Sequence, residues 1–326
     1  MLQILNGVYI AGTVACLAQL GVPDLVELEP KSPQELATQL EVQPDGLYRL
    51  MRAAASIGVL CEGADGRFSE TPLSAVLRSN AKPSLKGLAI MTGREWHGMG
   101  WAHLADCVRT GRQAFDLVHG TSIFEFFEKN QEEARIFDSA MTTLSMMDGP
   151  AVVSAYPFDG ISSIVDIAGG VGLLLAMILE AHPKMRGTLY DLPRVIEHAK
   201  DGPLQNMLDR CAFASGDMFE CVPAGADAYI MKHIIHDWPD DKCVALLQAC
   251  RRAVNRGGKL LVVDHVIQPG NKFAPGKFLD LQMLIFPGGK ERTEQEFRHI
   301  FKAAGWRLTR VIPTCVPESV LEAEPA

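Results

Sequence analysis

A glycine-containing turn at residues 168–172 has the spacing of a ligand site. The apolar run 163–167 before it predicts a buried strand, and 173–179 after it predicts a helix. Glycines at such a strand-to-helix turn let a ligand approach the backbone closely. Leu175 occupies the third glycine position of the dinucleotide fingerprint, so the spacing argues against a pyrophosphate at the helix N-terminus.

Acidic residues mark the ends of three successive predicted strands. Asp166 ends the first, Asp191 follows the second 22 residues after Gly169, and Asp217 follows the third. An acid at the place of Asp191 can accept hydrogen bonds from both ribose hydroxyls. Each acid alone is equally well interpreted as a helix cap, but the three together, without phosphate-binding residues, favour a nucleoside lacking phosphates. S-adenosylmethionine is the common cofactor of that description.

His236, in the His-Asp-Trp segment 236–238, follows a fourth predicted strand at 226–231. A histidine at the ligand edge of a sheet is suited to general-base catalysis, although a loop histidine that only satisfies backbone groups has the same local sequence. We interpret Asp237 as a cap of the next helix, and His233 and His265 as structural. Neither H-x-x-x-H nor H-x-E spacing is present, so we expect no metal site.

The second half of the chain alternates short apolar runs with helical segments, which predicts a doubly wound, mostly parallel α/β sheet. Two further runs, 306–312 and 319–323, have no helix between them and predict a terminal antiparallel hairpin. We place the domain boundary before the turn at 156–160. This division gives a mostly helical domain at 1–155 and a catalytic domain at 156–326.

In the first half, Ser32, Pro33 and Glu35 form a capping-box helix start, and the order helix, turn, helix, hairpin up to residue 69 outlines a winged helix. Winged helices often bind DNA, but the net charge of −8 favours another use.

Residues 81–150 look helical and are rich in aromatic residues and methionine. Such a stretch is usually core, and it can also line a pocket for a flat apolar ligand.

The N-terminal stretch 1–22 reads as a helix that is apolar on most sides and should therefore be buried, either in its own domain or against a second subunit. The first basic residue is Lys31 and no uninterrupted apolar run of about 18 residues exists, so we expect neither a signal peptide nor a membrane span. Eight scattered cysteines without a C-x-x-C pair are interpreted as buried small hydrophobes in a protein of the reducing cytoplasm.

Six motifs together make the sequence similar to the plant-type O-methyltransferase family, which includes caffeate, hydroxyindole and many bacterial polyketide O-methyltransferases. They are VDIAGGVG (165–172), YDLPRVI (190–196), GDMF (216–219), MKHIIHDWPDDKC (231–243), GGKLLVVDHVI (257–267) and GGKERTEQEF (288–297). The resemblance covers nearly the whole chain. It implies a Rossmann-like class I methyltransferase domain after a winged-helix dimerisation domain. The expected protein is therefore a homodimeric enzyme of secondary metabolism, and we expect it to bind neither nucleic acid nor membrane.

The resemblance also implies roles for individual residues. It makes His236 the base that deprotonates a substrate hydroxyl, with Glu291 and Asp264 orienting its ring. The positions that would hold S-adenosylmethionine, released as S-adenosylhomocysteine, are Asp166, Ala168, Gly169, Gly170, Asp191, Leu192, Asp217, Met218, Phe219 and Lys232. The positions that would line the acceptor pocket are Phe137, Met141, Met283 and Phe286.

Two positions depart from the family pattern. Ala168 replaces the first of three consecutive glycines, which is tolerable unless φ is positive there. Asp264 replaces the usual glutamate and is shorter by about 1.5 Å, so a bridging water or a closer approach of His236 is needed.

The resemblance implies methyl transfer to a hydroxyl, expected to be phenolic, of an aromatic or polyketide-like molecule. Two other functions compete with this one. One is pericyclic or hydroxylation chemistry on the same fold, whose members often lose the histidine or its acids. The other is a winged-helix regulator that senses the cofactor. The presence of both His236 and Glu291 favours methyl transfer.

Overall fold

The computed structural model describes all 326 residues, which divide into two compact units. The first comprises Met1–Ala102 and Phe124–Leu144, and the second comprises His103–Ile123 and Ser145–Ala326. The division therefore falls inside a long helix, and a helical segment from the middle of the chain packs with the C-terminal unit.

The α-helices are, in chain order, α1 (Leu2–Leu5), α2 (Gly7–Leu20), α3 (Val22–Leu25), α4 (Pro33–Leu40), α5 (Pro44–Ser56), α6 (Pro72–Ala75), α7 (Lys86–Thr92), α8 (Glu95–Ala102), α9 (Leu104–Thr110), α10 (Ala114–His119), α11 (Ile123–Lys129), α12 (Gln131–Ala155), α13 (Leu173–Ala181), α14 (Pro193–Ala199), α15 (Asp240–Ala253), α16 (Pro275–Ile285) and α17 (Glu294–Ala303). Two 3₁₀ turns lie at Gln205–Met207 and Ile235–Asp237. The strands are β1 (Leu60–Glu62), β2 (Phe68–Glu70), β3 (Ser163–Ile167), β4 (Arg186–Asp191), β5 (Cys211–Ser215), β6 (Ala228–Lys232), β7 (Lys259–His265), β8 (Trp306–Pro313) and β9 (Glu318–Pro325).

The first unit contains the predicted winged-helix elements. The side chain of Ser32 accepts from the backbone N–H of Glu35, whose carboxylate accepts from the N–H of Ser32, so the predicted capping box at α4 is confirmed. Helix α5 follows, and β1 pairs with β2 as the predicted hairpin. Apolar residues from α2, α4, α5 and this hairpin form one buried cluster, which holds these short elements together.

The N-terminal helices leave a large apolar surface uncovered. Ile4, Val8 and Tyr9 are 76%, 70% and 72% exposed, and burial in α2 begins only near its C-terminal end. The stretch Leu2–Leu20 is long and apolar enough to cross a membrane by length and composition alone, and 17% of it is buried. It contains no uninterrupted apolar run of about 18 residues, because Asn6 and other polar residues interrupt it. Burial of its first half inside its own domain is ruled out.

The second unit is built on a seven-stranded sheet in the order β5-β4-β3-β6-β7-β9-β8. The first five strands in this order are parallel, and β9 is antiparallel to both of its neighbours, which confirms the predicted sheet and its terminal hairpin. Successive side chains of β3 face opposite sides: Val165 and Ile167 pack with α15 and α17, and Ile164 packs with α13. The sheet is thus covered on both faces, as a mainly parallel sheet requires.

The interpretation of all cysteines as buried is wrong for half of them. The exposed ones are Cys16, Cys61, Cys221 and Cys315, and all eight are free thiols. Cys243 and Cys250 are buried on α15, where their spacing of seven puts them on one face of the helix.

Candidate active site

The turn after β3 is held in a conformation that favours glycine. Gly170 and Gly172 have φ of 61° and 79°, and Ala168 has φ of 53°. A Cβ at Gly169 would lie 2.5 Å from Oδ2 of Asp166, so only glycine fits there without rearrangement. The replacement of glycine by Ala168 therefore falls where a side chain is costly, about 1–2 kcal/mol for an L-residue in this region.

Asp191, at the end of β4, ties the turn to the neighbouring strand. Its Oδ2 accepts from the N–H of Gly170 at 2.9 Å, and its Oδ1 accepts from the N–H of Leu192 at 2.7 Å. A carboxylate has about four acceptor sites, so these bonds leave capacity for ligand hydroxyls. Burial raises the pKa of Asp191 above its usual range, although both backbone bonds oppose this.

Asp166 lies beneath the turn with one oxygen unsatisfied. The residue is 1% exposed, and its Oδ2 has no hydrogen-bond partner. Burial first, and then the charge of Asp191, raise the pKa of Asp166 to about 7. An orphaned buried carboxyl oxygen below a glycine turn is consistent with a site that is completed by a polar or cationic ligand.

The third predicted acid follows β5. Oδ1 of Asp217 accepts from the N–H of Phe219 at 2.8 Å, which fixes the start of the segment 217–219. The ring of Phe219 packs edge-on against Trp238, with centroids 4.8 Å apart, and Nζ of Lys242 lies over the Phe219 ring, 5.3 Å from its centroid. Asp217 thus stands beside an anchored aromatic ring, with Met218 partly buried against the same core.

Lys232, at the end of β6, faces a carboxylate that the sequence did not single out. Its Nζ lies 3.6 Å from Oδ2 of Asp148, and both side chains are more than nine-tenths buried. Asp148 belongs to α12, 84 residues earlier in the chain. Burial, and then the charge of Glu318, raise the pKa of Asp148 to about 6. No local motif marks this acid, because its relevance depends on a contact distant in sequence.

These residues meet at one edge of the sheet because β5, β4, β3 and β6 are consecutive parallel neighbours whose carboxyl ends coincide. The edge carries several carboxylates, one lysine and a turn without side-chain bulk. This set of polar groups fits a nucleoside with a cationic amino-acid tail, since carboxylates accept hydrogen bonds from ribose hydroxyls and attract positive charge. The residues present therefore fit the expected cofactor.

His236 lies in the buried 3₁₀ turn after β6. Its Nδ1 is 2.6 Å from Oε1 of Glu291, and its Nε2 is 3.5 Å from Oδ1 of Asp237. Donation from Nδ1–H to Glu291 leaves Nε2 as the proton-accepting nitrogen. Burial alone would lower the pKa of His236, but Asp237, Glu291 and Asp264 outweigh it and raise that pKa to about 9.

Two expectations about the neighbours of His236 need revision. Helix α15 has Pro239 as its N-cap residue, so Asp237 does not cap it; Asp237 contacts the histidine instead. Oδ1 of Asp264 stays 3.9 Å from Nδ1, and neither oxygen of Asp264 has a hydrogen-bond partner. The missing methylene thus leaves a gap, and burial raises the pKa of Asp264 to about 7.

Arg292 and Gly289 fix the backbone around the base, and the sequence reasoning missed both. The fully buried guanidinium of Arg292 donates to the carbonyl oxygens of Ile235 and Trp238 and pairs with Asp240 at 2.8 Å. A Cβ at Gly289 would overlap the carbonyl oxygen of His236. Arg292 lies directly after Glu291 in the motif at 288–297, and this position was the sequence signal that could have identified it.

The four acceptor-pocket candidates belong to different units. Phe137 and Met141 lie on α12 in the first unit, where Phe137 stacks on Phe127 with centroids 4.8 Å apart. Met283 and Phe286 lie at the end of α16 in the second unit, both buried. Phe286 packs against Phe115 at a centroid distance of 6.2 Å. Their assignment to acceptor binding stays a prediction.

Comparison with known proteins identifies the family. Residues 101–307 match the model of the O-methyltransferase domain, and residues 2–80 match that of the O-methyltransferase dimerisation domain. The phenazine O-methyltransferase PhzM of Lysobacter antibioticus is 40% identical over 326 residues, covering 100% of this chain and 95% of that protein. The structure of the mitomycin 7-O-methyltransferase MmcR superposes with a TM-score of 0.92 at 36% identity, covering 99% and 96% of the two chains.

A third relative was solved with ligands. It is an O-methyltransferase from neocarzinostatin biosynthesis, in complex with S-adenosylhomocysteine and 1,4-dihydroxy-2-naphthoic acid. It superposes with a TM-score of 0.83 at 28% identity, covering 97% of this chain and 96% of its own. With the Rossmann-like sheet, the acid-lined turn and the buried His236–Glu291 pair, these matches show that the chain belongs to the family of S-adenosylmethionine-dependent O-methyltransferases.

Proposed function

We propose that this O-methyltransferase methylates a phenolic hydroxyl of a flat aromatic or polyketide-like molecule, with His236 as the general base. The observation that carries the proposal is the buried pair of His236 and Glu291, whose 2.6 Å contact fixes the ring and leaves Nε2 to accept a proton. A phenol with a pKa near 10 is only about 0.1% ionised at pH 7, so removal of its proton is the contribution the protein must make. A positioned base typically gains roughly 10²–10⁴-fold.

The polar groups at the sheet edge determine which residues would bind each part of the cofactor. Asp191 would accept from the ribose hydroxyls, and Asp217, Met218 and Phe219 would flank the adenine. The turn 168–170, with Asp166 beneath it, would hold the methionine end, while Leu192 and Lys232 would border the site. Bound S-adenosylmethionine supplies a methyl group that its cationic sulfur already activates.

Two carboxylates have different roles in this proposal. Glu291 accepts from Nδ1 of His236 and stabilises the imidazolium that forms when Nε2 takes the proton. Asp264 contributes its negative charge from 3.9 Å without a hydrogen bond. Proton removal therefore depends on Glu291 for geometry and on Glu291, Asp264 and Asp237 for electrostatics.

The class of acceptor rests on two supports. The named relatives include enzymes of phenazine and mitomycin chemistry, and one structural relative holds a dihydroxynaphthoic acid. In this chain Met283 and Phe286 are apolar and buried in the same unit as His236. A planar, hydroxylated polycycle suits such surroundings.

We further propose that the enzyme is a cytoplasmic homodimer that binds neither nucleic acid nor membrane. The match of residues 2–80 to a dimerisation domain and the uncovered apolar surface of α1 and α2 support a second copy as the occupant of that surface.

The test is methyl transfer from labelled S-adenosylmethionine to a panel of hydroxyphenazines, hydroxynaphthoates and hydroxyquinones, each paired with its O-methyl ether as a blocked control. We expect label in the extracted arene and an equal amount of S-adenosylhomocysteine, only with a free hydroxyl. Labelled product on a nitrogen or carbon, or consumption of the cofactor without a methylated arene, would contradict the proposal.

A further inference from the structure

Three imidazole rings stand side by side at the carboxyl ends of β6 and β7. The ring of His233 lies between the other two, with its centroid 5.1 Å from that of His236 and 6.1 Å from that of His265. Both interplanar angles are 19°, so the three rings are nearly parallel. One face of the proposed base is therefore covered by another histidine.

The stack is anchored by one buried carboxylate. Oε1 of Glu318 lies 3.4 Å from Nε2 of His233 and 3.2 Å from Nε2 of His265, and the Glu318 side chain is 6% exposed. In the antiparallel register of β7 with β9, His265 and Glu318 are direct partners. The sheet thus fixes a carboxylate that contacts the middle ring at 3.4 Å, although Nε2 of His233 has no hydrogen-bond partner.

The backbone at His233 is also constrained. Its φ is 55°, in a region that L-residues rarely adopt, and its N–H donates to the carbonyl oxygen of Val263 at 3.0 Å. Such a conformation costs of order 1–3 kcal/mol and persists where the surroundings over-determine it, often at functional sites. With this backbone conformation, the imidazole ring of His233 lies against the ring of His236.

We propose that His233, held by Glu318 and His265, is a positioning residue whose ring forms the plate against which His236 stacks. This inference rests on the proposed role of His236 as the base. The plate limits rotation of the His236 ring, so that its contact with Glu291 and the direction of Nε2 are kept together. Its π-face also stabilises the imidazolium that forms when the base takes a proton.

Three carboxylates and one imidazole ring face His236. His236 faces Asp237 on its own turn, Asp264 on β7 and Glu291 after α16, with His233 on the remaining side. Burial, the largest influence, lowers the pKa of His233 to about 3. His233 therefore stays neutral at working pH, while the contact with Glu318 raises the pKa of His265 against the effect of burial.

The test compares His233→Leu with His233→Phe. Both substitutions impose the same backbone strain and remove the contact with Glu318, but only phenylalanine keeps a flat ring under His236. His198→Leu, on the exposed surface of α14, is the matched control. The readout is an NMR pH titration of His236 in histidine-labelled protein saturated with S-adenosylhomocysteine, with its signal assigned from a His236→Gln spectrum. This readout needs no acceptor, so it is independent of the proposed function.

In His233→Leu we expect the His236 signal to broaden and its pKa to fall by about 0.5, because the π-face that stabilises the imidazolium is gone. With an active acceptor, kcat should fall about 10-fold while KM for the cofactor is unchanged. His233→Phe should retain the wild-type signal and most of kcat, and His198→Leu should change neither.

Three outcomes would overturn the proposal. One is a folded His233→Leu protein with the wild-type His236 titration. Another is an equal loss in the Leu and Phe variants. The third is a stoichiometric divalent metal in the purified protein that is lost on Glu318→Gln, since two imidazoles and a carboxylate within 4.8 Å of one another are also metal-ligand types. If His233→Leu does not fold, His233→Ala, which also removes the ring, replaces it, with the same broadening of the His236 signal expected.

Discussion

At the level of single residues, the carboxylates around His236 decide its protonation state. Three acids raise its pKa to about 9 in the ligand-free protein, so the ring carries a proton at neutral pH before the cofactor binds. A sulfonium beside this site would oppose a second positive charge and lower that pKa. With His236 as the proposed base, we expect binding of the cationic cofactor to free its Nε2 for proton removal.

This predicts a particular pH dependence. Since only the neutral imidazole accepts a proton, kcat/KM for the cofactor, which reports the free enzyme, should rise with pH to a midpoint near 9. The midpoint of kcat, which reports the loaded enzyme, should be lower. Initial rates between pH 6 and 10 measure both. A kcat/KM that falls over this interval would be inconsistent with a base at His236.

The two acids that flank Nδ1 should respond differently to neutralisation. Glu291→Gln replaces the charged 2.6 Å acceptor of a buried ring by a neutral amide and should reduce kcat about 100-fold, as loss of a charge-assisted hydrogen bond in a desolvated site does. Asp264→Asn removes a carboxylate with no hydrogen-bond partner, so kcat should change by less than about 5-fold and stability should rise. Steady-state kinetics and urea unfolding of both variants measure this, and equal losses of kcat would refute the division of roles.

At the level of elements, the turn after β3, which we propose to hold the cofactor, contains backbone strain at Ala168. Ala168→Gly should stabilise the protein by roughly 0.5–1 kcal/mol, because relief of the left-handed strain exceeds the added entropy of glycine in the unfolded chain. The midpoint of urea unfolding gives the value, with Ala176→Gly in α13 as a control that should destabilise. A lower midpoint for Ala168→Gly would show that the methyl group contributes packing that outweighs the strain.

Regular elements and local caps were predictable, because each depends on residues close in sequence. The apolar run 163–167, the Ser32–Glu35 capping box and the terminal hairpin have this character. The sites that were missed depend on contacts between distant segments. Asp148 reaches Lys232 from α12, and His233 meets Glu318 only because β9 pairs with β7.

The sign of φ at Ala168 also lay outside the sequence pattern. An alanine side chain does not itself specify a left-handed conformation. The bond from the N–H of Ala168 to the carbonyl oxygen of Tyr190, at 2.7 Å, and the lack of space at Gly169 hold the turn in that shape. Motif spacing could therefore identify the site, but not its strain.

At the level of the whole molecule, the uncovered apolar surface of the N-terminal helices requires an occupant, and we propose a second copy. The double variant Ile4→Glu, Val8→Glu places two charges on side chains that are 76% and 70% exposed, so each chain should still fold. We expect the assembly to shift from dimer to monomer in light scattering coupled to gel filtration. Val108→Glu, 67% exposed on α9, is the control and should stay dimeric. A wild-type monomer, or a dimer in the double variant, would contradict the proposal.

The central claim is that His236 removes the proton of the acceptor. Its most direct test is a single-turnover measurement on His236→Gln loaded with labelled S-adenosylmethionine, using an acceptor found in the panel. We predict cofactor affinity within about 3-fold of wild type by calorimetry and a methyl-transfer rate roughly 10²–10⁴-fold lower. A variant that binds the cofactor normally and transfers methyl at close to the wild-type rate would contradict the account.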